Sequence, residues 1–222
     1  MMRPERGESG FTLIETLIAL FMLSVVSIAF YTLLFSVIRG SENSRAIARQ
    51  SEEARLGFNR MVRDTREAGS ILPCTPSAFA NCYRVQIDFD NSGTISNPNA
   101  NGDYEDMTFA YAGADHVITL NGETLIDGVY EVTGKNVFSY ESNALQYDAD
   151  ADGVTTSTEL DTSGIAGVGN GNGTLDNPEL SYITNINYAF RVGASSEGCS
   201  SSASVEDACE TFFASAQLRN RR

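Results

Sequence analysis

The residues best suited to chemistry in this chain are carboxylates, and their spacing suits an ion better than a reaction. Asp148, Asp150 and Asp152 alternate along "DADADGVTTSTE", with Gly153 next and Glu159 in the twelfth place. That is the D-x-D-x-D-G-x5-E frame of a calcium loop, in which roughly six to eight hard oxygens surround the ion. The frame assigns the carboxylates of Asp148, Asp150 and Asp152, the carbonyl of Val154, a direct or water-mediated contact from Thr156, and a bidentate Glu159. The eighth place, usually apolar, is Thr155, which predicts weak strand pairing through the loop. No strong helical pattern flanks it, so the expectation is a calcium loop and not a full EF-hand.

Two further stretches echo the frame. "VGNGNGTLDNPE", Val168 to Glu179, offers Asn170, Asn172, Thr174, Asp176 and Glu179 as ligands around Gly173. Its first place is Val168, which cannot ligate by its side chain, so a weaker site is expected. "DFDNSGTISNPN", Asp88 to Asn99, ends on an amide where the bidentate carboxylate belongs. There the expectation is a glycine-bearing turn after a strand. The implied cofactor is structural calcium, held with dissociation constants of roughly 10⁻⁴–10⁻³ M. Chelation is then expected to loosen residues 148–179.

Catalysis has little to work with. The chain has one histidine, His116, and no glycine-rich phosphate loop before a helix, so it is read as a non-enzyme. The four cysteines, Cys74, Cys82, Cys199 and Cys209, show no CxxC spacing, and one histidine completes no zinc cluster. An even count in an exported domain reads as disulfides. Three connectivities are open; Cys74–Cys82 with Cys199–Cys209 is favoured because each closes a short loop.

One more carboxylate is conspicuous by its surroundings. From Thr16 to Ile38 no residue is charged, long enough for a helix to cross the hydrocarbon layer, which takes about 20 apolar residues. Glu15 opens that run. A secretory signal has an apolar core of about 7–15 residues and a small-residue cleavage site just after it. Here the run is longer, and Ala46-Ile47-Ala48 lies beyond Arg39, Glu42 and Arg45. A plain anchor explains the run but not Glu15, because a carboxylate within a span is costly and marks function by default.

"GFTLIE", Gly10 to Glu15, with the apolar run behind it and Arg3 and Arg6 before it, resembles the amino terminus of type IV pilins and their pseudopilin relatives. The resemblance implies a leader of residues 1–10, cut after Gly10 by a prepilin peptidase, and N-methylation of Phe11. It implies roles in processing and assembly for Thr12 and Glu15. Glu15 would pair with the terminal ammonium of a neighbouring subunit, each charge offsetting the cost of the other in lipid. "RQSEEARLGFNRMVRDTREAG", residues 49–69, is similar to minor pilins of the W class and to J-type pseudopilins of type II secretion. The implied function is that of a minor type IV pilin, with a minor type II pseudopilin as the alternative. A membrane-anchored calcium-binding adhesin that never polymerises is the further alternative. The implied partners are the peptidase, other pilin or pseudopilin subunits and an inner-membrane assembly platform. The precursor would sit in the inner membrane with its globular part outside the cytoplasm, and later in a pilus at the cell surface.

Positioning these residues falls to a long helix and a sheet. The reading divides the chain into the leader (1–10), the transmembrane half of a helix (11–38), its soluble half (39–69) and an acidic β-rich domain (70–222). Ile47, Ala54, Phe58, Met61 and Val62 recur at helical offsets, predicting that the outer half packs on the domain. Glu52–Arg55, Arg60–Asp64 and Arg63–Glu67 have the spacing of solvated helix pairs. Gly69 and Pro73 mark the helix end. Alternating segments at 83–89, 107–113, 136–142, 182–192 and 211–220 predict strands, and 116–128 a hairpin turning at Asn121-Gly122. The fold class is therefore α+β: one long amino-terminal helix and a mostly antiparallel sheet. Residues 1–69 carry a net charge of +1 and residues 70–222 a net charge of -15. Such acidity argues against nucleic acid as a partner, because phosphate contacts dominate that affinity.

Overall fold

A computed structural model describes residues 12–74, 81–99, 101–193, 199 and 209–218. The chain divides into two units at Ala46/Ile47. The first is the apolar part of helix α1 (Leu13–Glu67). By length and composition α1 can cross a membrane, with a mean hydropathy of 2.4 over its most apolar window. Serine and threonine hydroxyls of its apolar part bond within the helix. Thr16 donates to Leu13 O (2.8 Å), Ser24 to Phe21 O (2.7 Å), Ser27 to Leu23 O (2.7 Å) and Thr32 to Ala29 O (2.8 Å). Lipid offers no water to hydroxyls, so bonding back to the preceding turn makes them tolerable there.

The second unit starts with the remainder of α1. Most of its stripe is buried as the periodicity predicts: Ala54, Met61 and Val62 lie in the core with Phe58 packed against it, while Ile47 is half-buried and outside the core. Two five-stranded antiparallel sheets complete the unit, where the pattern of segments suggested one. The first is a meander of β1 (Ser70–Leu72), β2 (Cys82–Gln86), β3 (Asp106–Ala112), β4 (Val117–Leu120) and β5 (Glu123–Asp127). The second comprises β6 (Val129–Glu131), β7 (Phe138–Ser142), β8 (Thr155–Thr156), β9 (Asn185–Val192) and β10 (Glu210–Gln217), ordered β10-β9-β7-β8 with β6 also on β9. The β4–β5 hairpin turns at Asn121 and Gly122 with φ of 52° and 86°, the double left-handed geometry of a type I′ turn. Strands β1, β6 and β8 escaped the periodicity because two or three residues are too few to show an alternation. Helix α2 (Ser157–Thr162) and a 3-10 turn (Glu179–Tyr182) were also unexpected.

Helix and sheets meet at a buried hydroxyl triangle. Thr65 Oγ1 on α1 lies 3.0 Å from Tyr83 OH on β2, Tyr188 OH on β9 donates to Thr65 Oγ1 (2.8 Å), and the two phenols are 3.1 Å apart. Burial pushes both phenols upward. Satisfying three buried hydroxyls on one another fixes how the last turns of α1, within the second unit, sit on the sheets, since an unpaired one costs about 1–3 kcal/mol.

The ion pairs differ from the simple helix spacing. Arg60–Asp64 forms (3.5 Å), but Asp64 is buried and is shared with Arg63, at 3.1 Å. Arg55 leaves Glu52 for Glu210 on β10, 2.6 Å away. Both favoured disulfides are present: Cys74–Cys82 with Cα atoms 6.1 Å apart, and Cys199–Cys209 at 5.5 Å.

Candidate metal loops and the amino-terminal motif

Three acidic loops share one backbone plan. Each has left-handed residues at its fourth and sixth places: Ala151 (62°) and Gly153 (88°), Asn91 (54°) and Gly93 (77°), Gly171 (68°) and Gly173 (75°). Each curls around one carboxylate that receives two consecutive N–H groups. Asp148 accepts from Asp152 N (3.1 Å) and Gly153 N (2.8 Å). Asp88 accepts from Ser92 N (3.0 Å) and Gly93 N (2.9 Å). In the loop 168–179 the same place is filled from outside the frame: Asp161, on α2, accepts from Asn172 N (3.1 Å) and Gly173 N (2.9 Å). Val168, which holds the first place in sequence, is buried in the apolar core instead.

A second carboxylate closes each loop by taking N–H groups from both ends. Glu159 accepts from Ala149 N (2.7 Å) and Thr156 N (2.8 Å). In the loop 168–179, Glu179 accepts from Asn170 N (3.3 Å) and Asp176 N (3.1 Å). In the loop from Asp88 the closing group is again out of frame. It is Glu105, fully buried, which accepts from Phe89 N (3.1 Å) and Ser96 N (2.9 Å). Asn99, the in-frame twelfth residue, donates its amide to Glu105 Oε1 (2.9 Å) and so supports the carboxylate that replaces it. The turn expected at 88–99 is therefore built like the first loop. Only the distance of Glu105 along the chain hid it.

Strand pairing through the first loop is short, in line with Thr155 in its eighth place: β8 has two residues, pairs with β7 at Ser142 and Glu141, and the buried Thr155 hydroxyl accepts from Tyr147 N (3.0 Å). A β-branched residue with its hydroxyl satisfied suits a strand. A helix does follow the loop. Thr156 caps α2 in a capping box with Glu159, a signal legible in Thr156-Ser157-Thr158-Glu159 but not read there.

Electrostatics separate the loops. Carboxylate oxygens of Asp148, Asp150 and Glu159 lie within 4.8 Å of one another, as do those of Asp88, Asp90 and Glu105. The N–H groups of Thr156 and Ala149 hold Glu159 below its ordinary value. The Asn99 amide and the Ser96 N–H do the same for Glu105, and Ser92 for Asp90. These groups stay ionised and present hard oxygens, the donor type that calcium or magnesium takes. In the loop 168–179 the amides of Asn170 (3.1 Å) and Asn172 (2.8 Å) donate to Asp176. Burial, then the neighbouring Asp176, raises Glu179, while its hydrogen bond to Glu179 lowers Asp176. That loop closes largely on itself.

In the first unit, Thr12 stands just before α1 and takes the Glu15 N–H on its carbonyl (3.0 Å) and, more loosely, on its hydroxyl (3.4 Å). Thr12-Leu13-Ile14-Glu15 thus starts the helix as a cap. Glu15 is exposed in the first turn, and among the described residues its carboxylate has no hydrogen-bond or ion-pair partner. Gly10 and Phe11 lie outside the described residues.

Residues 6–31 match the family described as the prokaryotic N-terminal methylation motif. Neither a curated protein nor a solved structure matches the chain. The motif together with the apolar helix behind it supports a precursor of type IV pilin or pseudopilin type, a structural class suited to single-pass anchoring in the inner membrane.

Proposed function

We propose that the chain is a minor type IV pilin. It is made as a precursor, cut after Gly10 by prepilin peptidase, methylated at Phe11, and drawn from the inner membrane into a filament by the assembly platform. The observation that carries this is the methylation motif over residues 6–31, leading into an apolar helix whose first turn holds Glu15. An ammonium on Phe11 of one subunit and Glu15 of another would neutralise each other in lipid. The minor class rests on the similarity of residues 49–69 to W-class minor pilins. The same residues look like J-type pseudopilins, which keeps a type II secretion pseudopilin as the second reading.

The acidic loops are proposed as structural calcium sites. Asp148, Asp150, Asp152, the Val154 carbonyl, Thr156 and Glu159 would hold one ion, and Asp88, Asp90 and Glu105 would anchor another. Asn170, Asn172, Thr174, Asp176 and Glu179, with Asp161 in the first place, form the weaker candidate. The all-oxygen donor sets, and in the loops from Asp148 and Asp88 the closeness of the carboxylates, support this.

Intact mass and amino-terminal sequencing of the protein from its native cells test the main reading. A chain starting at N-methyl-Phe11 is expected. A chain starting at Met1 overturns it and leaves the anchored adhesin as the account; a chain cut after Ala48 overturns it too and leaves a secreted calcium-binding module.

A further inference from the structure

Helix α2 serves both the first loop and the loop 168–179, and its residues are divided between them. Glu159 closes the first loop from the amino-terminal turn of α2. Asp161, two residues later, is the carboxylate around which the loop 168–179 curls. Between them Leu160 is fully buried in the core, so the helix cannot turn to satisfy one loop at the expense of the other. The far loop is also seated directly on the helix backbone. Gly171 N donates to Asp161 O (2.9 Å), and a Cβ at Gly169 would run into the carbonyls of Leu160 and Asp161. The chain then returns to Glu179, whose 3-10 turn packs near α2 and feeds β9 through Thr184, whose N–H donates to Glu141 O at 2.9 Å.

We propose that α2 is a mechanical coupler that makes the loops 148–159 and 168–179 order and loosen as one unit. Where a cation occupies the first loop, which rests on the calcium reading above, its free energy is then transmitted to residues that do not touch it. α2 has six residues, too short to persist alone, since isolated helices shorter than about 12–15 residues are marginal in water. It exists because the capping box and Leu160 hold it. An ion that fixes Glu159 fixes the capping box, and with it the carboxylate and carbonyl on which the second loop is built. Linkage makes the effect reciprocal, so damage to the seat of the second loop must weaken cation binding at the first.

The test is a calcium titration with hydrogen exchange on the full chain, comparing wild type with Gly169→Ala and Asp161→Asn. Neither residue offers a ligand to the first loop. Calcium is expected to slow exchange in 168–182 of the wild type with the same midpoint as in 148–159, whereas direct filling of the weaker loop 168–179 would give a later one. Both variants are expected to weaken calcium binding at 148–159 by about fivefold or more, the lower end of ordinary coupling. If calcium slows 148–159 alone, or if both variants bind it with wild-type affinity, the coupling is refuted while the calcium reading stands. If calcium changes neither region, that reading fails, and the coupling is judged by Glu159→Gln without calcium. It then stands if exchange in 168–182 accelerates at least fivefold, and falls if that region keeps its wild-type rate.

Discussion

Substituting Glu105 by Gln discriminates between the loop as written in sequence and the loop as folded. The sequence frame gives the twelfth place to Asn99, so Glu105 should be dispensable and Asn99→Asp should help. The structure reverses both expectations. Glu105 accepts from Phe89 N, Ser96 N and the Asn99 amide while fully buried. Glutamine keeps one oxygen, but its NH₂ must face at least one N–H that the carboxylate had satisfied. A hydrogen bond to a charged group contributes about 1.5–3 kcal/mol, and a buried unsatisfied donor costs about 1–3 kcal/mol. These overlap, so a local loss of about 2–4 kcal/mol is expected. At 1.4 kcal/mol per tenfold, amide exchange across 88–105 should accelerate by about 30-fold or more without calcium. Asn99→Asp should also accelerate it, because a second carboxylate replaces the donor 2.9 Å from Glu105 Oε1. Hydrogen exchange read by mass spectrometry on peptides covering 88–105 measures both. Exchange within threefold of wild type in Glu105→Gln, or slower exchange in Asn99→Asp, would refute the assignment of Glu105 as the closing carboxylate.

Glu15→Ala is expected to leave cleavage after Gly10 intact but to exclude the protein from sheared filaments by at least tenfold; immunoblots of membrane and filament fractions compare the two. Gly57→Ala should destabilise the globular unit despite the helix propensity of alanine. The gain is about 1 kcal/mol, but a Cβ would stand 2.7 Å from Ile126 Cγ1 and 2.9 Å from Leu125 O. Overpacking of this kind costs about 1–3 kcal/mol, and the backbone carbonyl of Leu125 cannot yield cheaply, so a net loss of up to about 2 kcal/mol should lower the melting temperature by a few degrees. The Arg55–Glu210 pair sets a pH dependence. The Arg55 hydrogen bond, helped by Ser51, holds Glu210 below its ordinary 4.5, so the stabilisation is present above that value and is lost as pH falls through the folded value. Arg55 is exposed and solvent screens the pair, so its contribution is small; the melting curve of Glu210→Gln should lack that increment of acid sensitivity. Chelation should increase proteolysis within 148–179, and an unchanged cleavage pattern with and without chelator would count against calcium there.

Much of this protein can be read residue by residue, because its strongest signals are local. Charge, apolar length and the order Gly10-Phe11-Thr12-Leu13-Ile14-Glu15 need no tertiary contact to be recognised. Neither does the buried stripe from Ala54 to Val62, since helical periodicity is a property of neighbours along one element. The Asn121-Gly122 turn was legible because only a few residue types accept two left-handed conformations in a row. Short disulfides were legible because a loop of eight or ten residues closes more easily than a long one. By contrast, β1, β6 and β8 exist only through their partners, and nothing in two or three residues announces a strand.

The acidic loops mark the boundary between the two kinds of knowledge. The first has all its carboxylates within twelve consecutive residues, so a spacing rule finds it. Asp161 and Glu105 do the same work for the other two, yet they reach their loops from α2 and from the residue before β3. A spacing rule measures distance along the chain, whereas a backbone N–H is satisfied by whichever carboxylate the fold brings within about 3 Å. Sequence alone therefore determined that this chain has an apolar helix with a carboxylate at its head and an acidic, loop-rich domain. Only the tertiary structure decided which carboxylates complete each loop, because burying the core side chains Val168 and Leu160 set where Asp161 had to stand.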